Sequence, residues 1–125
     1  MKITQPTSPT KSILCVDDDH DTCELLQFVF DEYDFVSAHS VAEAFRLIET
    51  RRFDLYIFDN WLPDGLGIEL CRKVRGLGID APIIFVSGVA EQKNVDEAVA
   101  SGANKYLTKP CEPDLLKKVV KELVN

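Results

Sequence analysis

Acidic, hydroxyl and basic residues follow apolar segments at four places in the sequence. Asp17 and Asp18 follow the first of these segments, Asp59 follows the second, and Ser87 and Lys109 follow two later ones. Carboxylates that are packed together repel one another, and a hard cation and an ammonium group make such packing tolerable. A small set of carboxylate oxygens suits Mg²⁺, which keeps several waters and leaves a position for a phosphoryl oxygen. The residue types therefore indicate phosphoryl-transfer chemistry.

Each candidate residue has a specific part in such chemistry. Asp59 would be the nucleophile, because a carboxylate can form an aspartyl-phosphate when a metal spreads the charge of the transferring group. Lys109 would supply a positive charge, and Ser87 would supply a hydroxyl donor for an anionic oxygen. Taken singly these are weak signals, since an Asp pair after a strand is often a helix cap and a Ser-Gly pair is often a turn. The joint pattern is specific because four strands must each end in the right residue.

The elements that would position these residues alternate along the chain. The segment 55–58 is a continuous apolar run bounded by turn residues, which is typical of a strand buried on both faces. An Asp at the carboxyl end of such a strand lies where open α/β sheets build their sites. Five strand signals alternate with five helix signals, which predicts a parallel sheet with helices on both faces. Strands are predicted over 12–16, 35–38, 55–58, 82–86 and 105–107, and helices over 22–31, from a capping box at Ser40 and Glu43, over 67–75, over 95–100 and from Pro113.

Composition restricts the class of protein. The 125 residues favour one domain, with residues 1–11 as a disordered tail and residues 12–125 as the folded unit. The net charge of −7 argues against direct binding of nucleic acid, which requires a basic patch. No apolar segment approaches the length of a membrane span, and no signal peptide is visible. The four cysteines form no Cys-x-x-Cys pair, which favours reduced thiols and a cytoplasmic location.

Four segments of the chain resemble the receiver domain of two-component response regulators. Residues 13–19 are similar to the acidic opening motif of that family, and residues 59–69 to its phosphoacceptor strand and loop. Residues 86–88 and 101–110 are similar to its hydroxyl position and its closing motif. The resemblance covers residues 12–124. It implies a doubly wound, flavodoxin-like sheet of five strands in the order 2-1-3-4-5.

The resemblance also implies a role for each metal ligand. Asp59 would accept the phosphoryl group and, with Asp18, ligate Mg²⁺ directly. The backbone carbonyl of Trp61 would be the third protein ligand, and Asp17 would act mainly through a bound water. We interpret Asp19 and Asp64 as solvated loop acids rather than ligands.

Three further residues would respond to the phosphoryl group, again by resemblance. Lys109 would pair with it, and the bond between Lys109 and Pro110 would be cis. Ser87 would turn inward to bond a phosphoryl oxygen, and Tyr106 would follow from an exposed to a buried rotamer. The bulky side chain of Trp61 lies beside Asp59 in sequence, and we expect it to hinder the water that hydrolyses the acyl phosphate.

The partners implied by the resemblance are proteins. A histidine kinase or a histidine phosphotransfer protein would donate the phosphoryl group, and residues 91–125 would contact a downstream target or form a homodimer. Such a protein would catalyse only its own phosphorylation and dephosphorylation. The chain is compatible with a single-domain regulator and with a receiver from a longer protein.

Three alternatives remain open at the level of sequence. A Mg²⁺-dependent phosphatase with an aspartyl nucleophile usually shows Asp-x-Asp, whereas Asn60 and Trp61 follow Asp59. A flavodoxin-like cofactor binder would need a Ser/Thr/Gly-rich phosphate loop after the first strand, where this chain has three acids that would repel a phosphate. A receiver fold used without phosphorylation is disfavoured by the complete set of acids, hydroxyl and lysine.

Overall fold

The computed structural model of the protein describes residues 10–89 and 91–124. Five strands of one sheet alternate with five helices over this part of the chain. The strands are β1 (Ser12–Val16), β2 (Asp34–Ala38), β3 (Leu55–Phe58), β4 (Ile83–Ser87) and β5 (Lys105–Thr108). The helices are α1 (His20–Val29), α2 (Val41–Thr50), α3 (Gly67–Gly76), α4 (Gln92–Ser101) and α5 (Pro113–Val124).

The five strands are parallel and lie in the order β2-β1-β3-β4-β5 across the sheet. This order confirms the doubly wound topology that the sequence predicted. Parallel neighbours cannot be joined by a tight turn, so each connection crosses over a face of the sheet through a helix. The carboxyl ends of all five strands therefore meet at one edge, with β2 at the outside as predicted.

Two layers of apolar side chains cover the faces of the sheet. Residues of α2, α3 and α4 pack on one face, where Ile48 and Val74 are fully buried. Residues of α1 and α5 pack on the other face, where Leu26 and Val120 are buried. All of β3 is buried, and its side chains alternate between the two layers. This burial on both faces confirms the interpretation of the apolar run 55–58.

Helix α1 begins two residues before the predicted start at Thr22. The reason is Asp19, which caps the helix: its carboxylate accepts a hydrogen bond from the backbone N–H of Asp21 at 3.2 Å and from the Thr22 hydroxyl at 2.7 Å. A side-chain oxygen that satisfies an otherwise unpaired first-turn N–H lets the helix start earlier. Asp19 is exposed and outside the acid cluster, as predicted, and it also caps α1, which the sequence analysis did not predict.

Helix α4 is longer than the predicted segment 95–100. It covers Gln92–Ser101, and among its residues only Ala98 is buried. The polar residues at its start gave no apolar periodicity, so the pattern underestimated the helix at its N-terminal end. It ends at Gly102, which takes the left-handed conformation with φ of +117°.

A two-stranded hairpin lies between β3 and α3, where the sequence predicted only a loop. Trp61–Leu62 pairs antiparallel with Gly65–Leu66, and Pro63 and Asp64 form the turn between them. Strands of two residues are too short to give an alternating pattern. The hairpin follows directly after Asp59 and so shapes the edge of the sheet where the candidate residues lie.

The predicted tail over residues 1–11 stays a prediction, because residues 1–9 lie outside the described part of the chain. Among the helices that the structure describes, none is both long enough and apolar enough to cross a membrane. The peptide bond between Lys109 and Pro110 is cis, as the resemblance implied.

Arg75 ties three segments together at the opposite edge of the sheet. Its guanidinium donates to the carbonyl oxygens of Ile79 at 2.8 Å and Ala81 at 2.7 Å. It also donates to the carbonyl of Gly102 at 2.8 and 3.1 Å and to Asn104 Oδ1 at 3.0 Å. The planar fork of an arginine can satisfy several acceptors at once, which an ammonium group cannot do with the same geometry. Arg75 therefore joins the end of α3 to the connections that precede β4 and β5.

We predict that Arg75→Lys lowers the free energy of unfolding by about 2 kcal/mol or more, because several hydrogen bonds to backbone carbonyls are lost together. Urea unfolding followed by circular dichroism measures this. Arg72→Lys is the matched control, since Arg72 is an exposed arginine of the same helix. Equal unfolding midpoints for the two variants would show that the Arg75 clamp contributes little.

Candidate functional site

Four strands deliver the predicted site residues to one edge of the sheet. Asp17 follows β1, Asp59 follows β3, Ser87 is the last residue of β4, and Lys109 follows β5. The backbone continues the ladder beyond the strands, since Asp59 N donates to the Val16 carbonyl at 2.9 Å and Lys109 N to the Ser87 carbonyl at 2.9 Å. Each residue is therefore held by the sheet rather than by a free loop. The sequence predicted this convergence, and the fold produces it.

Three carboxylates lie together at this edge. Oxygens of Asp17, Asp18 and Asp59 all lie within 4.8 Å of one another. Asp17 is 4% exposed and Asp59 is 8% exposed, whereas Asp18 faces solvent. Carboxylates at this separation repel strongly when they are removed from water. The arrangement requires positive charge within or beside the cluster.

Lys109 supplies part of that charge. Its Nζ lies 2.8 Å from Asp17 Oδ2 and 3.1 Å from Asp59 Oδ2. Burial by itself lowers the pKa of the Lys109 ammonium, but the hydrogen bonds and charges of the two carboxylates outweigh burial and raise that pKa above its usual value. Lys109 is therefore positively charged at neutral pH and bridges the two buried acids.

The second oxygen of each buried acid is held by the backbone. Asp17 Oδ1 accepts a hydrogen bond from the N–H of Asp19 at 2.9 Å, and Asp59 Oδ1 accepts one from the N–H of Trp61 at 3.2 Å. Each carboxylate thus has one oxygen on Lys109 and the other on a backbone donor. Hydrogen bonds of this kind fix the orientation of the two carboxylates.

Asn60 and Gly67 hold the start of α3 against Asp59. Asn60 accepts hydrogen bonds from Gly67 N through its carbonyl at 2.9 Å and from Ile68 N through Oδ1 at 3.3 Å. A Cβ on Gly67 would lie 2.3 Å from the backbone oxygen of Asp59, so only glycine allows this approach. Sequence reasoning missed both positioning roles. The signal was an Asn, a residue type that satisfies helix N-termini, placed between the strand and the helix.

Ser87 and Tyr106 both bind the backbone of Val89. Ser87 is fully buried, and its hydroxyl accepts a hydrogen bond from Val89 N at 3.3 Å. The Tyr106 hydroxyl donates to the Val89 carbonyl, and the Tyr106 ring stacks on Phe85 at a centroid distance of 5.7 Å. Tyr106 is half-buried in this structure rather than exposed. One residue in the loop after β4 therefore links the two predicted switch residues.

Trp61 begins the hairpin directly beside this edge. Its side chain is 56% exposed, which is unusual for the largest apolar residue type. Its backbone N–H donates to Asp59 Oδ1 at 3.2 Å, so the main chain at Trp61 contacts the acid cluster. The structure thus brings the Trp61 backbone next to the site, and leaves its indole largely in solvent.

Asp64 lies outside the acid cluster, and its carboxylate is bound elsewhere. It accepts hydrogen bonds from the N–H of Val41 at 2.7 Å and from the N–H of Ala42 at 3.0 Å. These bonds lower the pKa of the Asp64 carboxyl. Asp64 is exposed in the turn of the hairpin and outside the acid cluster, as predicted, and it has the additional role of a cap on α2, which the sequence did not predict.

Two histidines flank the site and stack on each other. The rings of His20 and His39 have centroids 3.7 Å apart and an interplanar angle of 17°. The lone pairs of nearly parallel imidazoles lie in separate planes and do not converge on one ion. This stacked geometry is not that of a metal site.

Comparisons with known proteins agree with the fold. A model of the response regulator receiver domain matches residues 13–121. The alkaline phosphatase synthesis transcriptional regulatory protein PhoP of Bacillus subtilis is 33% identical over 117 residues, which are 92% of this chain and 49% of PhoP. A two-component response regulator from Clostridium difficile superposes with a TM-score of 0.87 at 30% identity, covering 91% of this chain and 95% of that one. A CheY-like receiver domain protein from Methanospirillum hungatei gives a TM-score of 0.85 at 35% identity, covering 92% and 94%.

The chain matches only part of the length of the curated relatives named here. The chain spans about half the length of PhoP and of the phosphate regulon regulator PhoB of Pseudomonas aeruginosa, 49% and 47% respectively. It spans nearly all of the C. difficile and M. hungatei structures. With the family model covering residues 13–121 and the sheet order agreeing, the chain belongs to the response regulator receiver domain family of two-component systems.

Proposed function

We propose that this domain is a phosphorylation-dependent switch in which Asp59 accepts a phosphoryl group from a histidine kinase or a histidine phosphotransfer protein. A carboxylate oxygen of Asp59 attacks phosphorus, and the P–N bond to the donor imidazole breaks. The electron pair of that bond stays on the imidazole nitrogen, which then takes up a proton. The observation that carries the proposal is the clustering of Asp59 with two other carboxylates and Lys109 at the carboxyl edge of the sheet.

The donor set fits Mg²⁺. Three carboxylate groups within 4.8 Å of one another offer hard oxygen ligands, which Mg²⁺ prefers. Asp18 and Asp59, with the backbone carbonyl of Trp61, would hold the ion, and Asp17 would act through a bound water. When bound, the ion neutralises charge on the transferring phosphoryl oxygens.

Lys109 has a role both before and after the phosphoryl transfer. Before phosphorylation its ammonium balances Asp17 and Asp59, to which it is hydrogen-bonded. Once Asp59 carries the phosphoryl group, its carboxylate has become an acyl phosphate, a mixed anhydride, and no longer carries the charge that, with Asp17, held Lys109. The ammonium then pairs with a phosphoryl oxygen, which is a stronger acceptor.

The readout of phosphorylation runs through Val89. A phosphoryl oxygen at Asp59 attracts the Ser87 hydroxyl as a donor, and rotation of that hydroxyl gives up the bond that Ser87 now accepts from Val89 N. Val89 also holds the Tyr106 hydroxyl, so its displacement changes the rotamer preference of Tyr106. Phosphorylation thereby shifts a two-state equilibrium of the surface formed by residues 91–125. This surface is where we expect a downstream protein or a second copy of the chain to bind, within the cytoplasm.

Acetyl phosphate tests the transfer directly. We expect intact-mass spectrometry to show one phosphoryl adduct on the parent protein when Mg²⁺ is present and almost none when it is chelated. Asp59→Asn removes the nucleophile at equal size, so its adduct should be absent. A folded parent that binds Mg²⁺ but gives no adduct would contradict the phosphoswitch, and an adduct that persists in Asp59→Asn would contradict the assignment of the acceptor.

Trp61 should slow the loss of the phosphoryl group. We predict that Trp61→Asn speeds hydrolysis of the acyl phosphate about fivefold, equivalent to about 1 kcal/mol in the barrier, because the bulky indole no longer obstructs the attacking water. The decay of the adduct after removal of acetyl phosphate measures the rate. Leu66→Asn is the matched control, since Leu66 is the exposed apolar partner of Trp61 across the hairpin. If Trp61→Asn loses phosphate no faster than the parent, the indole has no shielding role.

A further inference from the structure

The first turn of α2 is capped by two separate parts of the chain. Ser40, which directly precedes the helix, accepts a hydrogen bond from Glu43 N at 3.1 Å. Asp64, more than 20 residues later in the chain, accepts from Val41 N and Ala42 N. The three first-turn N–H groups of α2 are thus satisfied by side chains, two of them by a residue of the hairpin.

Asp64 stands at the tip of that hairpin, and the hairpin is held at both ends. At its base, Asn60 and Gly67 are joined by a backbone hydrogen bond of 2.9 Å. At its tip, the Asp64 carboxylate binds two backbone N–H groups of α2 at 2.7 and 3.0 Å. The packing there is close as well, because a Cβ on Gly65 would lie 3.0 Å from Val41 Cγ2. The hairpin is therefore attached to α2 by the Asp64 hydrogen bonds as well as by apolar packing that involves Leu62 and Val41.

The hairpin also carries the backbone of Trp61. Trp61 pairs with Leu66, and its N–H donates to Asp59 Oδ1 at 3.2 Å. A two-residue strand has little stiffness of its own, so a tip released from α2 lets the strand pivot about its base. Such a pivot would move the Trp61 backbone, whose N–H binds Asp59, relative to the acid cluster.

We infer that Asp64 is a positioning residue for the metal site: by fixing the hairpin to α2, it holds the Trp61 carbonyl where a divalent cation bound by Asp18 and Asp59 would use it. The inference rests on the proposed function. Asp64 itself touches neither the acid cluster nor Lys109, and its carboxylate is saturated by backbone donors. It acts on the site only through the main chain from Asp64 back to Trp61.

Two substitutions of Asp64 distinguish an effect of its position from an effect of its charge. Asp64→Ala removes both the charge and the cap. Asp64→Glu keeps the negative charge but moves the carboxylate by one methylene, so that it no longer matches the two N–H groups of α2. If Asp64 acted by long-range attraction of the cation, Asp64→Glu would behave as the parent; if it acts by position, both variants lose affinity.

The matched control is Ser40→Ala. It removes a cap from the same turn of the same helix, and Ser40 lies in the chain of α2 itself rather than in the hairpin. It therefore weakens α2 without releasing the hairpin. Any effect of a destabilised α2 on the site should appear in Ser40→Ala as well as in the Asp64 variants.

The experiment titrates each folded protein with Mg²⁺ and follows the fluorescence of Trp61, the one tryptophan of the chain. We expect Asp64→Ala and Asp64→Glu to bind Mg²⁺ about tenfold more weakly than the parent, the lower end of the loss on removing outer-shell partners of metal ligands. Ser40→Ala should bind as the parent does. In the acetyl phosphate reaction, the Mg²⁺ concentration for half-maximal rate should rise equally in the two Asp64 variants and stay that of the parent in Ser40→Ala.

The outcomes distinguish the two proposals. Parent-like Mg²⁺ affinity in Asp64→Ala, or loss in Ala but not in Glu, overturns the positioning role and leaves the phosphoswitch intact. Equal loss in Ser40→Ala also overturns it, because the effect would then come from α2 alone. A parent that binds no Mg²⁺ overturns the metal-dependent function itself.

Discussion

The repulsion among three carboxylates at one edge of the sheet is the constraint on which the rest of the structure depends. Asp17 and Asp59 are almost completely buried, and a buried charge is costly unless it is paired and hydrogen-bonded. Lys109, which follows the outer strand β5, offsets part of this cost by binding both acids. It lies 92 residues from Asp17 and 50 residues from Asp59 in the sequence. The fold must therefore hold the ends of β1, β3 and β5 at fixed separations, and a parallel sheet whose three central strands are buried between two apolar layers does so.

The residues around Asp59 are held by more contacts than the segment after β4, which in the proposed function would respond to phosphorylation. Each buried acid has both oxygens bound, and α3 starts directly against the backbone of Asp59 because Gly67 lacks a Cβ. The segment that contains Val89 and α4 has fewer such contacts. Val89 is held by one hydroxyl on each side, and the following α4 buries only Ala98 and lacks a side-chain cap. An element with so few buried contacts belongs to the low-stability part of a fold, where a small free energy can shift populations.

The sequence was informative wherever a feature depended on local pattern and chain order. The apolar run of β3, the alternation of strands and helices and the polar residue after each strand were enough to predict the sheet and to bring Asp59, Ser87 and Lys109 to one edge. It was uninformative wherever a feature depends on a contact between segments distant in the chain. The caps explain this well: Ser40 and Glu43 are neighbours and were recognised, whereas Asp64 caps the same helix from 22 to 23 residues away and was not. Val89 is a further case, since nothing about a valine in a loop indicates that its backbone joins Ser87 to Tyr106.

The charges at the site explain why these acids differ from the others nearby. Asp19 and Asp64 are ionised and need no cation, because the Thr22 hydroxyl and backbone N–H groups satisfy the first and two backbone N–H groups of α2 the second. Asp17, Asp18 and Asp59 lie together beside a single cation, Lys109, and the proposed Mg²⁺ would add positive charge to this group of acids. In the proposed function, a phosphoryl group on Asp59 would add negative charge at the same place. That charge would attract the Ser87 hydroxyl as a donor, and so would convert a change in charge into a movement of the chain at Val89.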